Sequence, residues 1–143
     1  MLFSVLNTLH VHSLRKHEIL RKKQLISLLF KSGKSVKGDF LRIVYASLKS
    51  ETCIVQRVPA ILFAVSKKTV SSAVRRNKVK RMMREAYRLE KLWPQSMEGH
   101  SCDGRAGEVL CIVFLYMDRK KTFPDLETFR QEIRVLMRNM ILA

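Results

Sequence analysis

A chain of 143 residues, 47% of them hydrophobic, has room for one domain and enough apolar mass for a core, which excludes a disordered basic tail. Its 28 Lys and Arg against 12 Asp and Glu leave a net charge of +16. Self-repulsion at that charge destabilises a compact state, so a polyanionic partner explains it better than a bare solvated surface or an anionic membrane.

The charge is segregated. Residues 15–49 and residues 67–91 each hold ten basic and two acidic side chains, while residues 50–66 and 92–143 are each balanced. A binding surface assembled from two segments is expected from that pattern. Residues 1–17 read as an N-terminal extension and residues 18–143 as a single domain. The extension lacks a basic start and a small-residue cleavage site, so it does not read as a signal peptide, and no run approaches the roughly 18 apolar residues of a membrane span. Cys53, Cys102 and Cys111 follow no metal spacing and read as free thiols in a reducing compartment, with Cys53 and Cys111 in or near the core.

In chain order, residues 18–31 read as a short helix with Leu25, Ile26, Leu29 and Phe30 at helical spacing, stopped by Ser32 and Gly33. FLRIVYAS (40–47) reads as a strand, in which Phe40, Arg42 and Val44 share one face and Leu41, Ile43 and Tyr45 the other. AILFAVS (60–66) is a second strand. A long helix follows to about Leu92, stopped by Pro94. Residues 94–108 are a polar loop, and VLCIVFLYM (109–117) is a third strand. Asp125 caps a last helix with the apolar stripe Leu126, Phe129, Ile133, Leu136, Met137 and Met140. This order predicts an α/β sandwich, a central sheet with helices packed on one face.

The helix after residue 72 carries the functional signal. With Val79 at zero and about 100° per residue, Met82, Met83, Ala86, Leu89 and Trp93 gather on Val79's side. Asn77, Lys80, Arg81, Arg84, Arg88 and Lys91 gather opposite, with Glu85 and Glu90 off that stripe. A surface helix normally mixes signs to gain pairing, and this face does not. Arginine bridges phosphate oxygens bidentately, lysine supplies point charges, and Asn77 suits a 2′-hydroxyl or base edge, so the stripe points to RNA. No nuclease constellation accompanies it. The acids of the basic segments, Glu18, Asp39, Glu85 and Glu90, are not paired at a useful spacing. His10, His12, His17 and His100 form no metal motif, and no Gly-rich phosphate loop or HExxH occurs.

Residues 65–88, VSKKTVSSAVRRNKVKRMMREAYR, resemble the signature of the bacterial ribonuclease P protein component. Val65, Ser66, Lys67 and Lys68 match its first part. Ala73, Val74, Arg76, Asn77, Lys80, Arg81, Arg84, Glu85 and Arg88 match the second, with Lys78 where the family has arginine. Upstream, Phe30, Lys31, Gly33 and Lys34 match a further piece, with Ile26 where the family usually has phenylalanine. The resemblance implies a left-handed βαβ crossover, as in a domain of a small-subunit ribosomal protein, although sequence physics favours the right-handed form. It implies a cytoplasmic subunit of a ribonucleoprotein that hydrolyses one phosphodiester bond to remove the 5′ leader of precursor tRNA. The RNA subunit and its Mg²⁺ perform the chemistry, and the protein contributes no catalytic or metal-ligating residue and needs no protein partner. The catalytic RNA is expected on Lys67, Lys68, Arg76, Asn77, Lys78, Lys80, Arg81, Arg84, Arg88 and Lys91. The leader is expected on Ile26, Phe30, Lys34, Arg42 and Val44. Phe30 fits a stacking role and a core role equally, and either Val44 or Tyr45 can fill the position near the strand end. The rival reading is a ribosomal or other structural RNA-binding protein.

Overall fold

The computed structural model describes Leu14 and residues 16–49, 59–90 and 108–142. After a 3-10 turn at Lys16–Glu18, the elements are α1 (Lys23–Ser32), β1 (Lys34–Lys37), β2 (Leu41–Lys49), β3 (Ala60–Val65), α2 (Ala73–Glu90), β4 (Glu108–Tyr116) and α3 (Leu126–Leu142). The strands form one sheet in the order β1-β2-β4-β3. β2 pairs antiparallel with both β1 and β4, whereas β3 and β4 lie side by side in parallel. Parallel neighbours need a crossover, and α2 belongs to it.

Strand alternation divides the apolar residues between two faces. One face brings Leu41, Ile43, Ile61, Ile112, Phe114 and Tyr116 against α2 and α3. Phe129, Ile133, Leu136, Met137 and Met140 of α3 are buried there, in agreement with the expected stripe. Asp125 caps α3 by accepting from the Thr128 N–H at 2.9 Å, and the Thr128 hydroxyl and amide hold its carboxyl below the usual range. The other face brings Val44, Ala60, Val109, Cys111 and Val113 under α1 and Leu20. Helices therefore cover both faces, not one, because α1 has its own apolar side. Its Leu29 is fully buried, and losing such a side chain typically costs about 2–5 kcal/mol. Cys111 is buried in that layer, and burial pushes its thiol up to about 11.

Several local readings need correction. The expected helix start is displaced, since Glu18 closes the 3-10 turn and residues 19–22 are not helical: Ile19 bridges to Ile61 and the Leu20 N–H donates to the Ile61 carbonyl at 2.8 Å, so that stretch pairs with β3 before α1 begins. Gly33 ends α1 with ordinary extended angles, φ −72° and ψ 150°. A side chain there would meet the Leu29 carbonyl at 2.4 Å and Val44 Cγ1 at 2.8 Å, so glycine serves close approach to the sheet. β1 was not foreseen, because KSVK offers one apolar residue to an edge strand. Phe40 does not share a face with Arg42 and Val44. It sits in the bend before β2, edge-on to Phe129 with centroids 5.0 Å apart. Residues 94–107 of the expected polar loop, His10, His12, His100, Cys53 and Cys102 lie outside the described residues, and Glu108, the loop's expected last residue, opens β4.

The hairpin bend is held from α3. Glu132 Oε1 accepts the Phe40 N–H at 3.1 Å, and any Cβ at Gly38 would stand 2.2 Å from that oxygen. Oε2 is buried without a hydrogen-bond partner among the described residues. Burial raises the Glu132 pKa, against the backbone amides of residues 39–41, which lower it. A carboxyl whose folded pKa is raised contributes stability that is present at low pH and lost as pH rises through the raised value. Glu132→Gln should therefore gain stability relative to the parent chain as pH rises from the ordinary carboxyl value of 4.5 through the raised value. Urea titrations across that window check this, and a constant difference between the two chains would refute it.

Candidate nucleic-acid interface

The rotation of α2 about its axis decides which charges face outward. Val79, Met83, Ala86 and Tyr87 are buried. Tyr87 lies 5.9 Å from Phe63 and 5.6 Å from Phe114 between ring centroids. Tyr87 stands about 80° from Val79 on the helical wheel, outside the apolar stripe expected from the sequence. Its burial turns the inner face toward Met83, so Arg76 and Lys80 become half-buried flanks. Glu90 also sits on the inner side. It accepts from Arg130 Nε at 2.8 Å and Arg134 Nη2 at 2.9 Å, tying α2 to α3. The Arg134 hydrogen bond holds its carboxyl below the ordinary range, against burial, with Arg130 adding to the effect.

Asn77, Lys78, Arg81 and Arg84 are exposed along the outer side of α2. Among the described residues, no carboxylate lies within ion-pair distance of Lys78, Lys80, Arg81 or Arg84. Arg88 is engaged differently: its Nε donates to Glu85 Oε2 at 3.0 Å, and that bond lowers the Glu85 pKa. Arg76 donates through Nη1 to the Val70 carbonyl at 3.0 Å and to the Ser71 carbonyl at 2.7 Å. It therefore shapes the loop entering the helix while leaving its remaining guanidinium donors available. Lys67 and Lys68 stand exposed in a turn closed by Thr69 and Val70 N–H bonds to the Ser66 carbonyl. Lys91 lies outside the described residues.

The expected leader residues are not all brought together. Register aligns Arg42 with Leu115 and Val44 with Val113 on the α1 face, while Lys34 pairs with Tyr45 on the other. Lys37, opposite Arg42, is the β1 lysine that shares the α1 face with it, a placement set by the pairing of β1 with β2. Val44 is buried under α1 and Tyr45 is half-buried on the opposite face, so neither is an open platform. Ile26 is half-buried against the sheet, whereas Phe30 is 50% exposed and is not core. Arg42 is exposed and donates to Ser35 Oγ at 3.1 Å. Beside it, Leu62, Ala64 and Leu115 are half-exposed, a shallow apolar floor with basic neighbours. No three His, Cys, Asp or Glu side chains gather to hold a metal among the described residues.

A mixed sheet carrying a helix with an exposed cationic stripe on one side and a half-open, basic-edged floor on the other defines a nucleic-acid-binding α/β protein. The Ribonuclease P family model matches residues 14–140, and the chain belongs to that family. It is 50% identical over 141 residues to the ribonuclease P protein component of Chlorobium phaeobacteroides, covering 97% of this chain and 95% of the relative. The Chlorobaculum tepidum component is 37% identical over 142 residues, covering 96% and 88%. The structure of the Staphylococcus aureus RNase P protein matches with a TM-score of 0.57 at 17% identity, over 87% of this chain and 96% of that one, a likeness of fold.

The division among the arginines has a measurable consequence. Arg81→Ala and Arg84→Ala should each weaken RNA binding and lower the salt slope by roughly 1 per lost phosphate contact, with stability changed by less than about 0.5 kcal/mol. Arg76→Ala should weaken binding and also destabilise by about 1 kcal/mol, because two carbonyls lose their donor. Filter binding across a salt series, with thermal melts of the same variants, separates the two classes.

Proposed function

We propose that the outer side of α2 holds the catalytic RNA of ribonuclease P, while the half-open sheet face beside α1 holds the single-stranded 5′ leader of precursor tRNA. The chain is the RNA-binding protein subunit of that ribonucleoprotein, which acts as an endoribonuclease in tRNA 5′ processing. The observation that carries the reading is the run of Asn77, Lys78, Lys80, Arg81 and Arg84 without carboxylate partners among the described residues. A helix that serves only its own fold would mix signs there. Hydrolysis is assigned to the RNA subunit and its Mg²⁺ on the strength of family membership. Family membership supports a left-handed sense for the β3–α2–β4 crossover, a cytoplasmic location and assembly without a protein partner.

The leader reading rests on Phe30. An aromatic ring half-exposed on a basic helix that packs over the sheet face of Val44 and Val113 suits stacking of an unpaired base. Ile26 offers apolar contact without a π-face. In the assembled enzyme, precursor tRNA should bind more tightly than mature tRNA. Phe30→Ala should shrink that gap fivefold or more, the equivalent of roughly 1–3 kcal/mol of stacking. Equal gaps in parent and variant would place the leader elsewhere. The protein alone should leave precursor tRNA intact under conditions in which the RNA with it cleaves, and site-specific cleavage by RNA-free protein would reverse the assignment of the chemistry.

A further inference from the structure

Residues 92–143 are neutral as a block, yet they contain the run Arg119, Lys120 and Lys121 just after β4. All three side chains are exposed. The fold docks this loop onto the first turn of α2. Arg75 lays its guanidinium over the Phe123 ring, 4.7 Å from the centroid, and donates to the Lys121 carbonyl. Phe123 in turn packs edge-on against Tyr116 at 6.0 Å. Asp118 Oδ1 accepts the Lys120 N–H at 3.0 Å and turns the backbone back on itself. Arg75 reaches the end of β4 electrostatically as well. The Tyr116 hydroxyl is pushed up to about 12 by burial and by Asp118, with Arg75 opposing.

Two consecutive arginines therefore anchor two loops to one helical turn. Arg76 holds the carbonyls of Val70 and Ser71, behind Lys67 and Lys68. Arg75 holds the carbonyl of Lys121, beside Arg119 and Lys120. Drawing more cations toward a helix start that already lacks acidic residues in its first turn is unfavourable for the isolated protein. A phosphate backbone reverses the sign of that interaction.

We propose that the loop carrying Arg119, Lys120 and Lys121 is a third segment of the RNA-binding surface, held in place by Arg75 and Phe123, and that it contacts phosphates of the catalytic RNA next to those held by α2. This rests on the reading of α2 given above. Arg75 and Phe123 are positioning residues in this arrangement, and the phosphate contacts belong to the three exposed cations.

The test is a salt series of binding between the full chain and a ribonuclease P RNA transcribed in vitro. The triple variant Arg119→Ala, Lys120→Ala, Lys121→Ala should bind at least tenfold more weakly at physiological salt, with the slope lowered by roughly 2–3. Phe123→Leu keeps every charge. It should lower the slope by roughly 1 while circular dichroism shows an intact fold, a change that lost packing alone does not produce. If the triple variant keeps the parent affinity and slope while Arg81→Ala with Arg84→Ala lowers both, the loop proposal is overturned and the α2 reading stands. If neither set moves the slope, both fail. If the triple variant lowers the slope and a folded Phe123→Leu does not, the anchoring by Arg75 and Phe123 is refuted.

Discussion

The seating of Tyr87 between Phe63 and Phe114 is the contact on which the functional arrangement depends. Phe63 and Phe114 pair across the parallel β3–β4 ladder and stack with centroids 5.5 Å apart. The tyrosine ring closes the cluster from α2. A helix is free to roll about its axis until large side chains lock it, and an aromatic cluster locks it firmly because each ring has few acceptable poses. Glu90, one turn further along, adds a directional constraint through Arg130 and Arg134 on α3. With the roll set, Asn77, Lys78, Arg81 and Arg84 face outward.

The acids and arginines divide the work of managing a charge of +16. Glu85 and Glu90 lie within the basic helix but are engaged, one with Arg88 and one with α3. The outward stripe is left positive. The start of α2 compounds this, since the positive end of the helix dipole lies beside Arg75, Arg76 and Lys78. That arrangement is strained electrostatically in isolation and favourable once anionic oxygens approach, the same physics by which helix N-termini receive phosphate. Stability and binding thus pull in opposite directions at one helical turn, and the hydrogen bonds from Arg75 and Arg76 to loop carbonyls hold that turn together in the free protein.

What the sequence by itself determined was every described helix and strand except β1, and the identity of the basic helix. Periodicity marks α2 and α3, and β-branched and aromatic runs mark β2, β3 and β4, because these signals arise from burial of one face at a local spacing. The segment 65–88 carries its spacing, charge and asparagine within one stretch, so the family was legible there. Tertiary structure alone decided how distant segments meet. β1 exists because β2 offers it an edge, not because KSVK is apolar. Phe40 moved to the core because the hairpin bends one residue before β2 begins, and α1 took the face that a one-sided sandwich would have left open. Arg75 and Glu90 both project onto the apolar side of α2, and a charge there requires a partner that only another element can supply. The sequence marks the need for that partner. The fold supplies Phe123 and Lys121 for Arg75, and Arg130 and Arg134 for Glu90, because contacts between residues some forty positions apart are set by chain packing and leave no periodic trace.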